Sequence, residues 1–240
     1  MEKLVIIPTY NERENIAAII AAVFELQAGY HILIIDDGSP DGTAAIVEDL
    51  MKQHEGQLFI EKRTGKLGLG TAYIHGFKWA LAKGYQYIFE MDADFSHSPQ
   101  DLERLYAACN IIGADVAVGS RYVKGGRTEN WPLDRHIYSK GGAFYTKLIT
   151  WLPVNDPTAG FVCYKRKVLE TINLDEIRFV GYAFQIEMKY RAFSKNFTIV
   201  EVPIIFTDRT KGQSKMSGAI FQEAVFGVIA LRLKKLVNTL

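Results

Sequence analysis

The chain is short of several things, and each shortage removes a class of function. It has two cysteines in 240 residues, Cys109 and Cys163. They lie far apart in sequence, in apolar surroundings, with no CxxC spacing, which argues against a disulfide framework or a cysteine zinc site. A reducing, cytoplasmic setting is expected. Charge of one sign is also missing: 28 Lys and Arg stand against 27 Asp and Glu, net +1, so no global field draws nucleic acid. Long apolar runs are absent. MEKLVIIPTYNE has a short apolar run, Leu4 to Ile7, before Pro8, too short for a signal-peptide core. The greasy run near the C-terminus, Ala224 to Leu231, falls short of the ~20 residues a membrane-spanning helix needs. The chain is expected not to cross a bilayer, and the sequon at Asn196 to be inert. Neither G-x-S-x-G nor HExxH occurs, so nucleophilic hydrolase and zincin chemistry lack their usual frames. No repeat, low-complexity tract or linker interrupts the chain, and one domain is expected over residues 1–240.

What is present is an alternation of strand and helix signals. Leu4–Ile7, His31–Ile35, Gln57–Lys62, Tyr85–Met91 and Asp115–Gly119 read as strands. Helices are expected from Glu12 to Leu26 with Asn11 as cap, after Thr43 to about His54, from Gly70 to Ala82, and after Pro99. Continuous apolar strands separated by helices predict an α/β fold with a parallel sheet covered on both faces. Ligands on such sheets bind beyond the carboxyl ends of the strands, where four polar loops fall: PTYNE, DDGSPDGT, RTGKLGLGT and DADFSHSP. The second half is less regular. Residues 120–136 read as a polar loop and Ile137–Leu152 as a helix. Asp156–Phe161 reads as a turn into a strand, Tyr182–Ser194 as a helix and Phe197–Val202 as a strand.

The loops carry chemistry. In an extended segment, residues two apart point the same way, so Asp92 and Asp94 can meet one divalent cation, and hard oxygen ligands suit Mg²⁺ or Mn²⁺. Helix capping is the competing reading, outweighed by the company of the other strand-end loops. The second of Asp36 and Asp37 can accept hydrogen bonds from a base or ribose; an Asx-turn followed by capping is the competing reading, and one carboxylate can do each job. Gly65, Gly68 and Gly70 form neither a Walker A motif nor a dinucleotide fingerprint; they let backbone pass close to a ligand or a neighbouring loop. Cations cluster at Arg121, Lys124 and Arg127, at Arg135 and Lys140, and at Arg209, Lys211 and Lys215, where arginine forks suit phosphate oxygens. His97, near the aspartate pair, either stands behind it or is simply exposed, and exposure is the preferred reading. The tail from Gly218 to Leu240 suits packed core and a membrane interface equally.

PTYNE, IDDGSPDGT, MDADFSHSP, GSRYVKGG, NDPTAGFVCYKR and FTDRTKGQSK, in this order, resemble the dolichol-phosphate (polyprenyl-phosphate) mannosyltransferases of glycosyltransferase family 2, over nearly the whole chain. The resemblance implies a GT-A fold: a Rossmann-like, mostly parallel central sheet with helices on both faces. It divides the domain into a nucleotide-binding half (1–119), an acceptor-binding half with a lid (120–216) and an amphipathic C-terminal helix (217–240). It implies inverting transfer of mannose from GDP-mannose to a polyprenyl phosphate with Mg²⁺ or Mn²⁺; the nearest alternative is a polyprenyl-phosphate glucosyltransferase using UDP-glucose. By motif, Pro8, Tyr10 and Glu12 would line the nucleotide pocket, Ile35 and Asp37 would contact the guanosine, and Asp92, Ala93 and Asp94 would sit at the metal and diphosphate. Ser96 stands where some relatives place a metal-binding glutamine, so it would serve directly or through water. Arg121 would face the reaction centre, with Asp94 as its catalytic counterpart; Arg121, Arg135 and Ser139 would hold the acceptor phosphate; Arg209 and Lys215 would clamp the diphosphate as a lid. Without the transmembrane helices of many relatives, the enzyme would meet its lipid as a peripheral protein on the cytoplasmic face, through the tail, the helix after 137 or an anchoring partner subunit.

Overall fold

The structure, a computed structural model, describes residues 2–208 and 227–233; Arg209, Lys215 and most of the tail lie outside them. Five strands and their intervening helices open the chain: β1 (Lys3–Thr9), α1 (Ile16–Phe24), β2 (Tyr30–Asp36), α2 (Thr43–Met51), β3 (Leu58–Lys62), α3 (Leu69–Lys83), β4 (Tyr87–Glu90), α4 (Asp101–Asn110) and β5 (Val116–Ser120). The second half adds β6 (Arg127–Glu129), α5 (Leu133–Thr150), β7 (Val162–Lys165), α6 (Arg166–Thr171), α7 (Tyr182–Ser194), β8 (Ile199–Pro203) and β9 (Ile205–Thr207). The main sheet runs β3-β2-β1-β4-β7-β5-β8. Only β7 is antiparallel to its neighbours, β4 and β5.

Alternation along the strands builds two cores. Leu4 and Ile6 face α3, α6 and α7, while Val5 and Ile7 face α1, α2 and α4. At Gly76 a Cβ would come within 2.8 Å of Ile6 Cγ2, so α3 sits closer to β1 than any larger residue allows. Parallel pairing of β3, β2, β1 and β4 brings the four polar loops to one edge, as the strand signals predict.

Three expectations need correction. First, α1 begins at Ile16, not Glu12. Asn11 lies in the left-handed region, with φ 57°, and the N–H groups of Asn11, Glu12 and Arg13 donate to Ser39, Thr43 and Asp41. Those donors serve the neighbouring loop, so the segment holds two loops together instead of starting a helix. Second, the 120–136 loop contains β6, which pairs in parallel with β9. A three-residue strand carries too little periodicity to be read locally. Third, α5 starts four residues early, because Pro132 (ψ 152°) sets its N-terminus.

Candidate active site

Past the end of β4 at Glu90 the chain turns into a bend at Ala93, and burial alternates along it. Met91 and Ala93 are buried in the core, while Asp92 and Asp94 are partly exposed. Asp92 and Asp94 are thus the more exposed members of this segment, where a cation could reach them. Ser96 is buried and acts from behind: its N–H donates to Asp94 Oδ1 (3.0 Å) and its carbonyl accepts from Thr207 N–H (3.2 Å). No cluster of three or more His, Cys, Asp or Glu among the described residues could hold a metal ion. A cation at this edge would take the aspartate pair and complete its shell with phosphate and water oxygens, the usual habit of Mg²⁺ and Mn²⁺ in phosphate sites.

His97 corrects the expectation of an exposed ring. It is 3% exposed, stacked on Phe161 (4.9 Å) and edge-on to Phe206 (5.3 Å). Burial pushes its pKa down to about 4, so the ring is neutral near pH 7. Its Nδ1 lies 3.8 Å from Asp92 Oδ2.

Around the loops that follow β1, β2 and β3 the two adjacent aspartates divide their work. Asp36 builds the turn: its Oδ1 accepts from Ser39 N–H (3.0 Å) and its Oδ2 from the Ser39 and Thr9 hydroxyls (2.6 and 3.0 Å). Asp37 accepts from Arg63 Nε–H (2.6 Å), and Arg63 also donates to Thr71 Oγ1 (2.8 Å), tying the β2, β3 and α3 ends together. Lys66 stands 5.5 Å over the Tyr10 ring. Glu12 accepts from Asn15 Nδ2 (3.0 Å). Pro8 is half-buried, whereas the Ile35 side chain lies wholly in the core. The glycine question also resolves. A Cβ on Gly68 or Gly70 would press on Val180, or on Phe179 O and Phe184; these glycines admit the neighbouring 179–181 segment.

In the second half of the chain, Arg121 is held by a bidentate contact to Asp156 (Nε–Oδ2 2.7 Å, Nη2–Oδ1 2.6 Å) and by Thr158 Oγ1 (3.1 Å). The side chains of that pair are 9% and 0% exposed. Its guanidinium carbon sits 5.2 Å from the Tyr122 and Trp131 rings and 5.4 Å from Phe206. Trp131 is shared with Arg135 (4.2 Å), which donates to Asp208 Oδ2 (2.8 Å). Ser139 Oγ accepts from Tyr122 OH (2.6 Å). Arg121, Arg135 and Ser139 thus meet through Tyr122 and Trp131, neither of which sequence reasoning singled out. Asp156, Arg63, Lys66 and Phe206 were not singled out either, although each stands in a quoted motif: NDPTAG, RTGKLGLGT (Arg63 and Lys66) and FTDRTKGQSK.

The outer face of α5 has no cover among the described residues. Leu133, Ile137, Tyr138, Phe144, Leu148 and Trp151 are between 60% and 81% exposed. Beside them the helical stretch 227–233 packs Val228 and Leu231 inward on α7 and α5 residues, presents Ile229 and Leu233 outward and sets Arg232 4.2 Å over Trp151. In this stretch the packed-core expectation for the tail holds on one face; the other face is exposed. No helix among the described residues is long and apolar enough to cross a membrane.

Residues 4–172 match the Glycosyl transferase family 2 domain. The chain is 48% identical over 225 residues to a polyprenol monophosphomannose synthase of Mycolicibacterium smegmatis, covering 94% of this chain and 84% of the other. It is 42% identical to an undecaprenyl-phosphate mannosyltransferase of Micrococcus luteus, covering 95% and 93%. Its fold resembles that of a mannosyltransferase from Pyrobaculum calidifontis solved with GDP-Man and Mn²⁺, at TM-score 0.58 and 14% identity, covering 98% and 74%. The architecture is the GT-A fold, and the chain belongs to glycosyltransferase family 2.

Proposed function

We propose that the protein transfers mannose from GDP-mannose to a polyprenyl phosphate, with inversion, while docked on a membrane surface. One juxtaposition carries this reading. Asp92 and Asp94 leave the end of β4, and a chain of contacts through His97, Phe206 and Trp131 links them to Arg135 of α5, a helix whose outer side carries an apolar stripe exposed among the described residues. An acceptor whose reactive phosphate sits at a bilayer surface needs both. The identity to the polyprenol-type synthases supports the same substrates.

Energetics separate the two arginines. The Arg135–Asp208 pair is about 30% exposed on each side, and such pairs contribute about 0–1 kcal/mol, so an incoming phosphate can replace Asp208. The Arg121–Asp156 pair is buried, and breaking such a pair costs ~3–5 kcal/mol. Arg135, with Ser139, therefore grips the acceptor phosphate, while Arg121 stays on Asp156, supplies fixed positive charge at the reaction centre and holds Tyr122 against Ser139.

Asp92 and Asp94 hold Mg²⁺ or Mn²⁺, which when bound neutralises diphosphate charge. Pro8, Tyr10, Glu12 and Asp37 line the nucleotide pocket, with Ile35 offering backbone only, and Lys66 adds a cation at its rim. A phosphate oxygen of the acceptor forms the new bond to the anomeric carbon as the bond to GDP breaks, and GDP leaves with that electron pair. The acceptor oxygen is already anionic, so orientation matters more than a general base. Arg209 and Lys215 supply further charge to the leaving diphosphate.

For docking, the α5 stripe and Ile229 and Leu233 enter the interface, and Lys140, Lys147 and Arg232 meet anionic headgroups. The test is incubation with labelled GDP-mannose, polyprenyl phosphate and Mn²⁺, with UDP-glucose as control donor. Mannose in the organic-extractable lipid is expected. Its absence overturns the reading, and preferential transfer of glucose replaces it with the glucosyltransferase.

A further inference from the structure

A buried lysine lies between the two halves of the site and belongs to neither. Lys189, on α7, is 0% exposed. Its ammonium has three N–H groups and three acceptors: Ala159 O (2.7 Å), Gln185 O (3.2 Å) and Gln185 Oε1 (3.1 Å). The other end of the Gln185 amide donates to Glu90 Oε2 (2.8 Å), and Glu90 and Gln185 are buried too. Each end of this chain sits close to proposed chemistry. Glu90 ends β4 two residues before Asp92, on the same side of the strand. Ala159 lies in the turn whose Asp156 and Thr158 hold Arg121, and Glu201 fixes the far side of that turn by accepting from the N–H groups of Asn155 and Asp156 (2.8 and 3.0 Å).

A buried ammonium is expensive to desolvate, and burial pushes the Lys189 pKa down to about 8. A methionine would fill the same volume without that cost. What the lysine adds is direction: a satisfied polar network in a low-dielectric interior locks its members into one arrangement. We propose that Lys189 is a positioning residue, tying the acceptor-side turn 156–160 through Gln185 to the strand that delivers Asp92 and Asp94, and so fixing the distance between donor and acceptor. It touches neither substrate. The inference rests on the transferase reading above.

Two variants test it. Lys189→Met keeps the length and removes the donors. Gln185→Glu keeps an acceptor for Lys189 and removes the N–H that reaches Glu90, so it preserves the buried ion's partner if the first variant fails to fold. At a temperature where circular dichroism shows wild type and variant equally folded, kcat for mannosyl transfer is expected to fall by about 10²-fold, the scale of a 1 Å misplacement. GDP affinity by calorimetry is expected to stay within about threefold, and amides of 156–160 are expected to exchange faster. Unchanged kcat in folded variants overturns the proposal. So does a kcat loss matched by an equal loss of GDP affinity, which marks a general stability role. If the wild type itself moves no mannose, the transferase reading fails separately, and the exchange measurement still decides whether the tie exists: unchanged exchange at 156–160 refutes it.

Discussion

The two halves of the molecule place their charged groups by different physics. In the first half, acids sit at the carboxyl ends of parallel strands. Asp36, Asp37, Asp92 and Asp94 are delivered to one edge because β1, β2 and β4 share a direction. In the second half, cations are placed by what they touch. Arg121 and Arg135 are held by carboxylates and by a box of Tyr122, Trp131 and Phe206. Regular backbone suffices to aim an acid; a cation near an anionic acceptor needs a partner that can be kept or given up, and burial decides which.

The first way to break that contrast is at the strand end. Asp94→Asn is expected to lower mannosyl transfer by about 10³-fold, the upper range for losing one charge-stabilising group, with little change in melting temperature; near-wild-type turnover in a lipid-extraction assay would remove Asp94 from the chemistry. Next is the buried pair. Arg121→Ala leaves Asp156 uncompensated and is expected to cost ~3–5 kcal/mol in urea unfolding. Arg135→Ala is expected to cost under about 1 kcal/mol while raising the acceptor KM. If the two unfolding costs are equal, the distinction between kept and exchangeable arginines fails.

A smaller effect is expected on the outer face of α5. Ile137→Glu with Leu148→Glu is expected to leave stability within about 0.5 kcal/mol, as surface changes do, and to weaken flotation with anionic vesicles by about tenfold or more, since each buried apolar side chain is worth ~1.5–3 kcal/mol. Undiminished vesicle binding would move the docking surface elsewhere. The smallest effect is in pH. Lys189 titrates near 8 folded, against 10.5 for an ordinary lysine. Between those values the unfolded chain binds a proton that the folded one lacks, so this residue makes stability rise with pH across that window. The difference in melting temperature between wild type and Lys189→Met is expected to shift in favour of wild type from pH 8 to 10; a flat difference would mean Lys189 titrates normally.

Legibility followed the same division. The parallel order of the first strands, the loop edge and the Asp92/Asp94 pair could be read from periodicity and turn residues, because each is local. The split between Asp36 as turn builder and Asp37 as the accepting acid was legible, but not that Asp37 pairs with Arg63, since Arg63 arrives from another strand. His97 was misread because a polar residue in a polar loop carries no sign of the Phe161 and Phe206 rings that bury it. The β6–β9 ribbon, the partner of Arg121 and the Gln185–Lys189 chain all join segments far apart in sequence.

By itself the sequence determined the α/β class, the strand-end edge where the polar loops gather, the spacing of the Asp92/Asp94 pair and, through its ordered motifs, the family. Those properties depend on backbone periodicity and residue type, which neighbours in sequence set between them. The tertiary structure alone decided which arginine is buried and which half-exposed, that α5 turns an apolar face outward, and that a lysine sits in the core between the turn at 156–160 and the end of β4. These depend on desolvation, and how much water a group loses is fixed only when distant segments close around it.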